Sequence, residues 1–167
     1  AMGIDTGDFV AFDPRAVWTD AGYIKSRHLD DKAGMAAILG LLEHLSSHQL
    51  TPKHTLKIII STYEEVGHGA AHLPCSLDEM IAVDMGAMGA DLTCTEHQVS
   101  ICPKDSSGPY DYDLTNALIA AAKANGISHA IDIYPFYGSD ASAALRAGHD
   151  LKAALIGPGV HASHHME

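Results

Sequence analysis

Five carboxylates and a run of histidines carry the chemistry open to this sequence. Glu64 and Glu65 close the apolar stretch "LKIIIST" and lie within "STYEEVGHGA". Asp84 closes "MIAV", and Asp30 and Asp31 close the extended "YIKSRHL" and open a helical pattern. His161, His164 and His165 come just after "AALIG". Each group stands where an apolar element ends. In open α/β sheets, sites form beyond the carboxyl ends of the strands, so groups distant in sequence can converge there. Converging carboxylates repel one another unless cations sit among them. Asp, Glu and His are donors that Zn²⁺ and Co²⁺ accept without thiolate. In a two-metal site one carboxylate bridges both ions, others hold one ion each, and a water between them becomes a hydroxide nucleophile near neutral pH. A further carboxylate, off the metal, can take that water's proton. Adjacent glutamates suit this division of labour.

Taken singly, each group has an ordinary explanation. "DD" before a helix is a common N-cap pair. "EE" after a strand is commonly a solvated turn, and Asp84 alone means little. The information lies in the joint arrangement, each group at an element's end.

The elements that must position these groups read as an alternation of strands and helices. "GDFVAFD" and "GYIKSRHL" are extended. Met35, Ile38, Leu39, Leu42 and Leu45 recur at three- and four-residue spacing, which predicts a helix from Asp31 to about Leu45. "TLKIIISTY" has no polar alternation, as in a strand buried on both faces. "GHGAAHL" reads as a short helix stopped near Pro74, "EMIAVD" as a second buried strand, and "TCTEHQVSICP" as an edge or antiparallel strand. "DYDLTNALIAAAKANG" is a helix with Leu114, Leu118 and Ala121 on one face and Gly126 past its end. "HAIDIYPF" is a strand, "SDASAALRAG" a capped helix, and "LKAALIG" the last strand. The alternation implies a layered α/β fold in a single domain.

Composition narrows the function. The 167 residues suffice for one domain with a core, and 47% hydrophobic with 19% charged content argues against disorder. A formal charge of -11 leaves no basic patch for nucleic acid or an anionic membrane. No apolar run approaches the ~20 residues a bilayer span needs. The start, "AMGIDTGDFV", has no basic region of the signal-peptide kind. Cys75, Cys94 and Cys102 are widely spaced, which predicts buried structural thiols in a reducing, cytoplasmic compartment. There is no G-x-S-x-G elbow, no cysteine in a catalytic setting and no Gly-rich phosphate loop. The twelve histidines are scattered, so they are not a tag.

The ordered set of segments resembles the M42 family of metallo-aminopeptidases, within the dinuclear zinc exopeptidases that include the M28 and M20 families. "SRHLDDKAGMAAILGLLEHL" is similar to the family's "LDDR-x-G" segment, and "STYEEVGHGA" to its "EEVG-x-[RH]-GA" segment. "IAVD", "YGSDAS" and "GPGVHASHHME" match later pieces, in order, over essentially the whole chain. The resemblance implies a three-layer α/β fold of the zinc-dependent exopeptidase type, a mixed, mostly parallel sheet flanked by helices, in truncated form. It implies two divalent ions, Zn or Co. Asp30 would bridge them, followed by Asp31, in this superfamily often through a cis peptide. Glu64 would be the general base, Glu65 a ligand of one ion and Asp84 a ligand of the other. His164, after the "AS" pair and three residues before Glu167, would join Glu65's ion, with His161 and then His165 as alternatives. Gly138, Ser139, Asp140 and Ala141 match the family's "G-[TS]-D-A" loop beside the site, where Asp140 serves either positioning or a helix cap. The implied reaction removes N-terminal residues from peptides through a metal-bound hydroxide, and the full-length form is expected to be a homo-oligomer.

The sequence also departs from the family pattern. Relatives run to about twice this length and carry an "H-x-D" histidine ligand and an inserted dimerisation domain ahead of the "LDD" segment. No "H-x-D" precedes Asp30 here, and "GIDTGDFVAFDPR", within residues 1–20, resembles the tail of the inserted domain. The chain therefore reads as residues 1–167 of a catalytic-domain portion, expected to bind at most one metal tightly and to show weak or no activity alone. His28 or His68 could supply the missing donor. Competing readings are an amidohydrolase or deacylase of the same superfamily, and a noncatalytic metal-binding α/β domain. Removing Glu64 separates catalytic from structural roles.

Overall fold

The structure, a computed structural model, describes residues 3–165. Residues 1 and 2 of the tail segment, and Met166 and Glu167 of "HHME", lie outside the described residues. The strands are β1 (Val17–Trp18), β2 (Ile24–Lys25), β3 (Glu79–Val83), β4 (Gly86–Ala87), β5 (Val99–Cys102), β6 (Lys104–Asp105), β7 (Gly108–Pro109), β8 (His129–Ile131) and β9 (Lys152–Val160). The helices are α1 (Leu29–Ser47), α2 (Tyr112–Ala124) and α3 (Asp140–Arg146).

The sheet is organised around β9. It runs in the order β3-β9-β5-β8, and β4 pairs with the far end of β9. β3 and β4 are parallel to β9, β5 is antiparallel to it, and β8 is parallel to β5. The result is the mixed, mainly parallel α/β sheet expected from the sequence. β9 is buried at Ala153, Ala154 and Leu155, and all three helices pack against it. The core is built of small residues, Ala82, Ala87, Ala141 and Ala153, filled out by Met85, Leu155, Val160, Tyr110 and Tyr134. The two tyrosines bring hydroxyls inside, and both are paired, as burial requires. Tyr110 donates to Asp105 Oδ2 at 2.6 Å and meets Ser139 Oγ at 2.6 Å; Tyr134 bonds Ser100.

Helix ends follow their sequence signals. Asp111 caps α2, accepting from the Leu114 amide at 2.8 Å, and Gly126 takes the positive φ beyond it. α2 buries Thr115 and Ala122, with Leu114 and Leu118 half-buried. Ala121 is exposed, so the buried face is rotated one residue from the expected one. α1 covers Gly34 and half-covers Met35, Ile38 and Leu45, whereas Leu39 and Leu42 of the same stripe stay exposed. The Asp30–Asp31 peptide is cis, and regular helix begins after Asp31.

Other expectations are corrected. "GDFVAFD" forms no strand: Phe9, Val10 and Phe12 are exposed, and among the described residues no strand pairs with this stretch. "TLKIIISTY" is not a buried strand either. Ile59 packs against the buried Ala70, Leu73 and Ala144, and Lys57 Nζ donates to Ser76 O at 2.9 Å, but the run forms no ladder among the described residues and Leu56 and Ile60 are exposed. An apolar run supplies propensity, whereas a ladder needs a partner. β3 lies at the sheet edge and exposes Ile81, so it is only partly the buried strand predicted. β5 is antiparallel to β9 but interior to the sheet. "GHGAAHL" forms turns instead of a helix; helical geometry is confined to a 3-10 turn over Glu64–Val66, ended by Gly67 at φ 81°. Cys94 and Cys102 are buried, but Cys75 is partly exposed.

Candidate metal centre

The acids reach the site from the start of α1, the end of β3 and a 3-10 turn. Asp31 takes the N-cap duty for α1: its Oδ1 accepts from the Gly34 amide at 3.1 Å. A Cβ at Gly34 would overlap that carboxyl and crowd Val83 O, so glycine permits the close approach of α1 to β3. With Asp31 so occupied, Asp30 is free to face the cavity. Asp84 follows β3, and its Oδ1 accepts from the Met85 amide at 2.6 Å. Glu64 and Glu65 lie on the 3-10 turn. His164 lies in the turn after β9.

Three of these groups meet. His164 Nε2 is 2.9 Å from Asp30 Oδ2 and 3.6 Å from Glu65 Oε2. One donor atom from each of Asp30, Glu65 and His164 lies within 4.8 Å of the others. The Asp30 side chain is 7% exposed; those of Glu65 and His164 are 55% and 58% exposed, so the group opens to solvent on one side. It borders a cavity of about 260 Å³, which Glu64, Asp84, Phe136, Tyr137 and Arg146 also line.

The electrostatics are those of an unneutralised acidic cluster. Burial pushes the Asp84 carboxyl up to about 8, opposed by the Met85 amide and reinforced by Glu64, Asp30 and Asp31. Burial raises Glu64 to about 7, with Asp140 and Glu65 adding to it. Burial raises Asp31 to about 7 against the pull of the Gly34 amide. Asp30 and Glu65 are also raised by burial, and the nearby His164 opposes both shifts. A cation among these carboxylates would displace their protons and relieve their mutual repulsion. Among the described residues the donors lining the cavity are carboxylate oxygens and imidazole, which fits a divalent cation.

Comparison with known proteins bears on the same residues. The family model described as M42 glutamyl aminopeptidase matches residues 1–167. The chain belongs to the M42 peptidase family. It is 48% identical over 167 residues to "Putative aminopeptidase YhfE" of Bacillus subtilis (strain 168), a match covering 99% of this chain and 48% of that protein. Its fold resembles PhTET1-12s, solved as a dodecamer, with a TM-score of 0.69 and 26% identity over 85% of this chain and 44% of the other. A TET aminopeptidase from Thaumarchaeota archaeon SCGC AB-539-E09 shares the fold at TM-score 0.66, with 16% identity over 78% of this chain and 40% of the other. The chain thus spans about half the length of these relatives.

Within this M42 chain, the structure brings Asp30, Glu64, Glu65, Asp84 and His164 to one cavity. It does not bring His161, His165, His28 or His68 there. His161, His165 and His28 are exposed, and His28 precedes α1 at φ 63°. His68 stacks on Tyr63 with centroids 4.9 Å apart. Ser139, not Asp140, caps α3: its Oγ accepts from the Ser142 amide at 3.3 Å in a capping box. Sequence reasoning missed Phe136, Tyr137 and Arg146. The first two immediately precede the "GSDA" segment, which is a usable signal; Arg146 carries none.

Proposed function

We propose that the protein is a metal-dependent aminopeptidase that removes N-terminal residues from peptides. The observation that carries this reading is the meeting of Asp30 Oδ2, Glu65 Oε2 and His164 Nε2 beside Glu64 in one solvent-open cavity of an M42 chain. Asp30, Glu65 and His164 would hold one ion, Zn or Co, and Asp30 with Asp84 would contribute to a second. When bound, these ions supply Lewis-acid polarisation of the scissile carbonyl and acidify a water. Glu64 takes a proton from the attacking water and gives it to the leaving amine, a task suited to a carboxyl near neutrality. The cavity admits the peptide's end, with Phe136 and Tyr137 lining it.

Residues 1–20 read as the tail of an inserted dimerisation domain, which the exposure of residues 3–18 and the small separate β1–β2 hairpin support. Relatives described as dodecameric, or as tetrahedral and octahedral shells, support a homo-oligomer for the full-length protein. Three free cysteines are consistent with the cytoplasm. Among the described residues no helix is long and apolar enough to cross a membrane.

The test is hydrolysis of aminoacyl-p-nitroanilides by Zn²⁺- or Co²⁺-loaded full-length protein, alongside Glu64→Gln. The expected result is turnover that falls at least ~100-fold in the variant while its metal content is unchanged. Equal rates in wild type and Glu64→Gln, or no released amine across the substrate panel, would sink the reading.

A further inference from the structure

Two adjacent residues could cap the short helix α3, and only one does so. Ser139 and Ser142 complete a capping box, and Ser139 is tied to Tyr110 as well. Asp140 is left over, and its carboxyl is turned towards the loop that carries the glutamates. Ser61 Oγ donates to Asp140 Oδ2 at 2.5 Å. Asp140 Oδ1 is buried with no hydrogen-bond partner among the described residues. A Cβ at Gly69 would overlap that same Oδ1, stand 2.6 Å from Ser61 Oγ and press to 2.9 Å on the Glu64 amide nitrogen. The carboxylate, the hydroxyl and the Glu64 backbone therefore close around a point that only glycine leaves free.

This arrangement costs energy. A carboxylate out of water is unfavourable, and here it acts on two other acids, raising both Glu64 and Asp31. α3 gains no cap in return: of its buried positions, Ala141, Ala143 and Ala144 need no polar neighbour and Ser142 is already satisfied in the capping box. Asp140 does not line the cavity, so it cannot touch a substrate there.

We propose that Asp140 is a positioning residue: through Ser61 and the gap at Gly69 it fixes the loop bearing Glu64 and Glu65, and so sets where Glu65 meets Asp30 and His164. The inference rests on Glu65 being a metal ligand. It acts by placement, since the side chain that matters to the loop is the acceptor for Ser61.

The experiment is Co²⁺ titration, followed by visible absorption, of full-length wild type, Asp140→Ala, Asp140→Asn, Ser61→Ala and Gly69→Ala. Asp140→Ala and Gly69→Ala are expected to weaken Co²⁺ binding about tenfold or more and to alter the spectrum, as loss of a group supporting a ligand does. Ser61→Ala should move in the same direction. Asp140→Asn keeps the acceptor and should restore affinity. Wild-type affinity and spectrum in Asp140→Ala would overturn the proposal. So would an Asp140→Asn as weak as Asp140→Ala, because charge would then be the operative property. Should Asp140→Ala not fold, unchanged binding in both Ser61→Ala and Gly69→Ala overturns it equally. Hydrolysis is read separately, with kcat expected to fall in Asp140→Ala and KM to hold. A wild type that binds Co²⁺ but cleaves no peptide defeats the aminopeptidase reading while the titration series still decides this one. A wild type that binds no Co²⁺ defeats both.

Discussion

Paired residues divide their duties throughout this site. Asp31 caps α1 and frees Asp30; Ser139 caps α3 and frees Asp140. The capping reading of "DD" holds for Asp31, while Asp30 faces the cavity. The acids around the cavity crowd together, and the protonation of Asp84, Asp31 and Glu64 couples to stability. Asp84 is raised from 3.8 to about 8, Asp31 from 3.8 to about 7 and Glu64 from 4.5 to about 7. The folded metal-free chain therefore binds more protons than the unfolded one between pH 4 and 8. Its stability is favoured below the unfolded values and is lost as pH rises through the folded ones. Thermal unfolding in chelator should show a melting temperature falling from pH 5 towards pH 8, and Asp84→Asn should flatten that slope. A wild-type slope in Asp84→Asn would mean that Asp84 does not titrate as described.

At the scale of elements, helix ends were legible in the sequence and the strand ladder was not. Gly126 and the capped start of "SDASAALRAG" were legible because a cap is a local matter of a side chain and the next turn, although the capping residue is Ser139 and not Asp140. Asp111→Ala should cost about 1 kcal/mol in denaturant unfolding and leave metal affinity alone, since α2 supplies no donor. "LKIIIST" misled because three adjacent isoleucines specify only a preference for extended, buried backbone; what the run pairs with is decided by residues far away. β3 was found because its partner β9 exists in register, Glu79 opposite Lys152 through Val83 opposite Ile156. The candidate site was legible for a mixed reason. Its acids fall at element ends, a local signal, but their meeting with His164 depends on β9 lying beside β3, which no local pattern states. Arg146 was invisible because a cavity wall is recruited by shape, without requiring a chemical type, whereas Phe136 and Tyr137 at least adjoin the "GSDA" segment.

For the whole molecule, the donor inventory sets a countable limit. Among the described residues a single group of three acid or imidazole donors has ligand geometry, and Asp84 lies near it without a histidine of its own. Equilibrated with Zn²⁺ and desalted, the 167-residue chain should retain about one ion by elemental analysis. Retention of two would show that another side chain completes the second position.

The place of β9 bears also on how the chain is made. β3 and β4 find their sheet partner only in residues 152–160, which leave the ribosome some seventy residues after β3 itself. At ordinary elongation rates of about 5–20 residues per second, β3 waits several seconds with its ladder groups unpaired. Nascent chains stalled before Lys152 should accordingly stay open to protease and to chaperones, and those extended past Val160 should close.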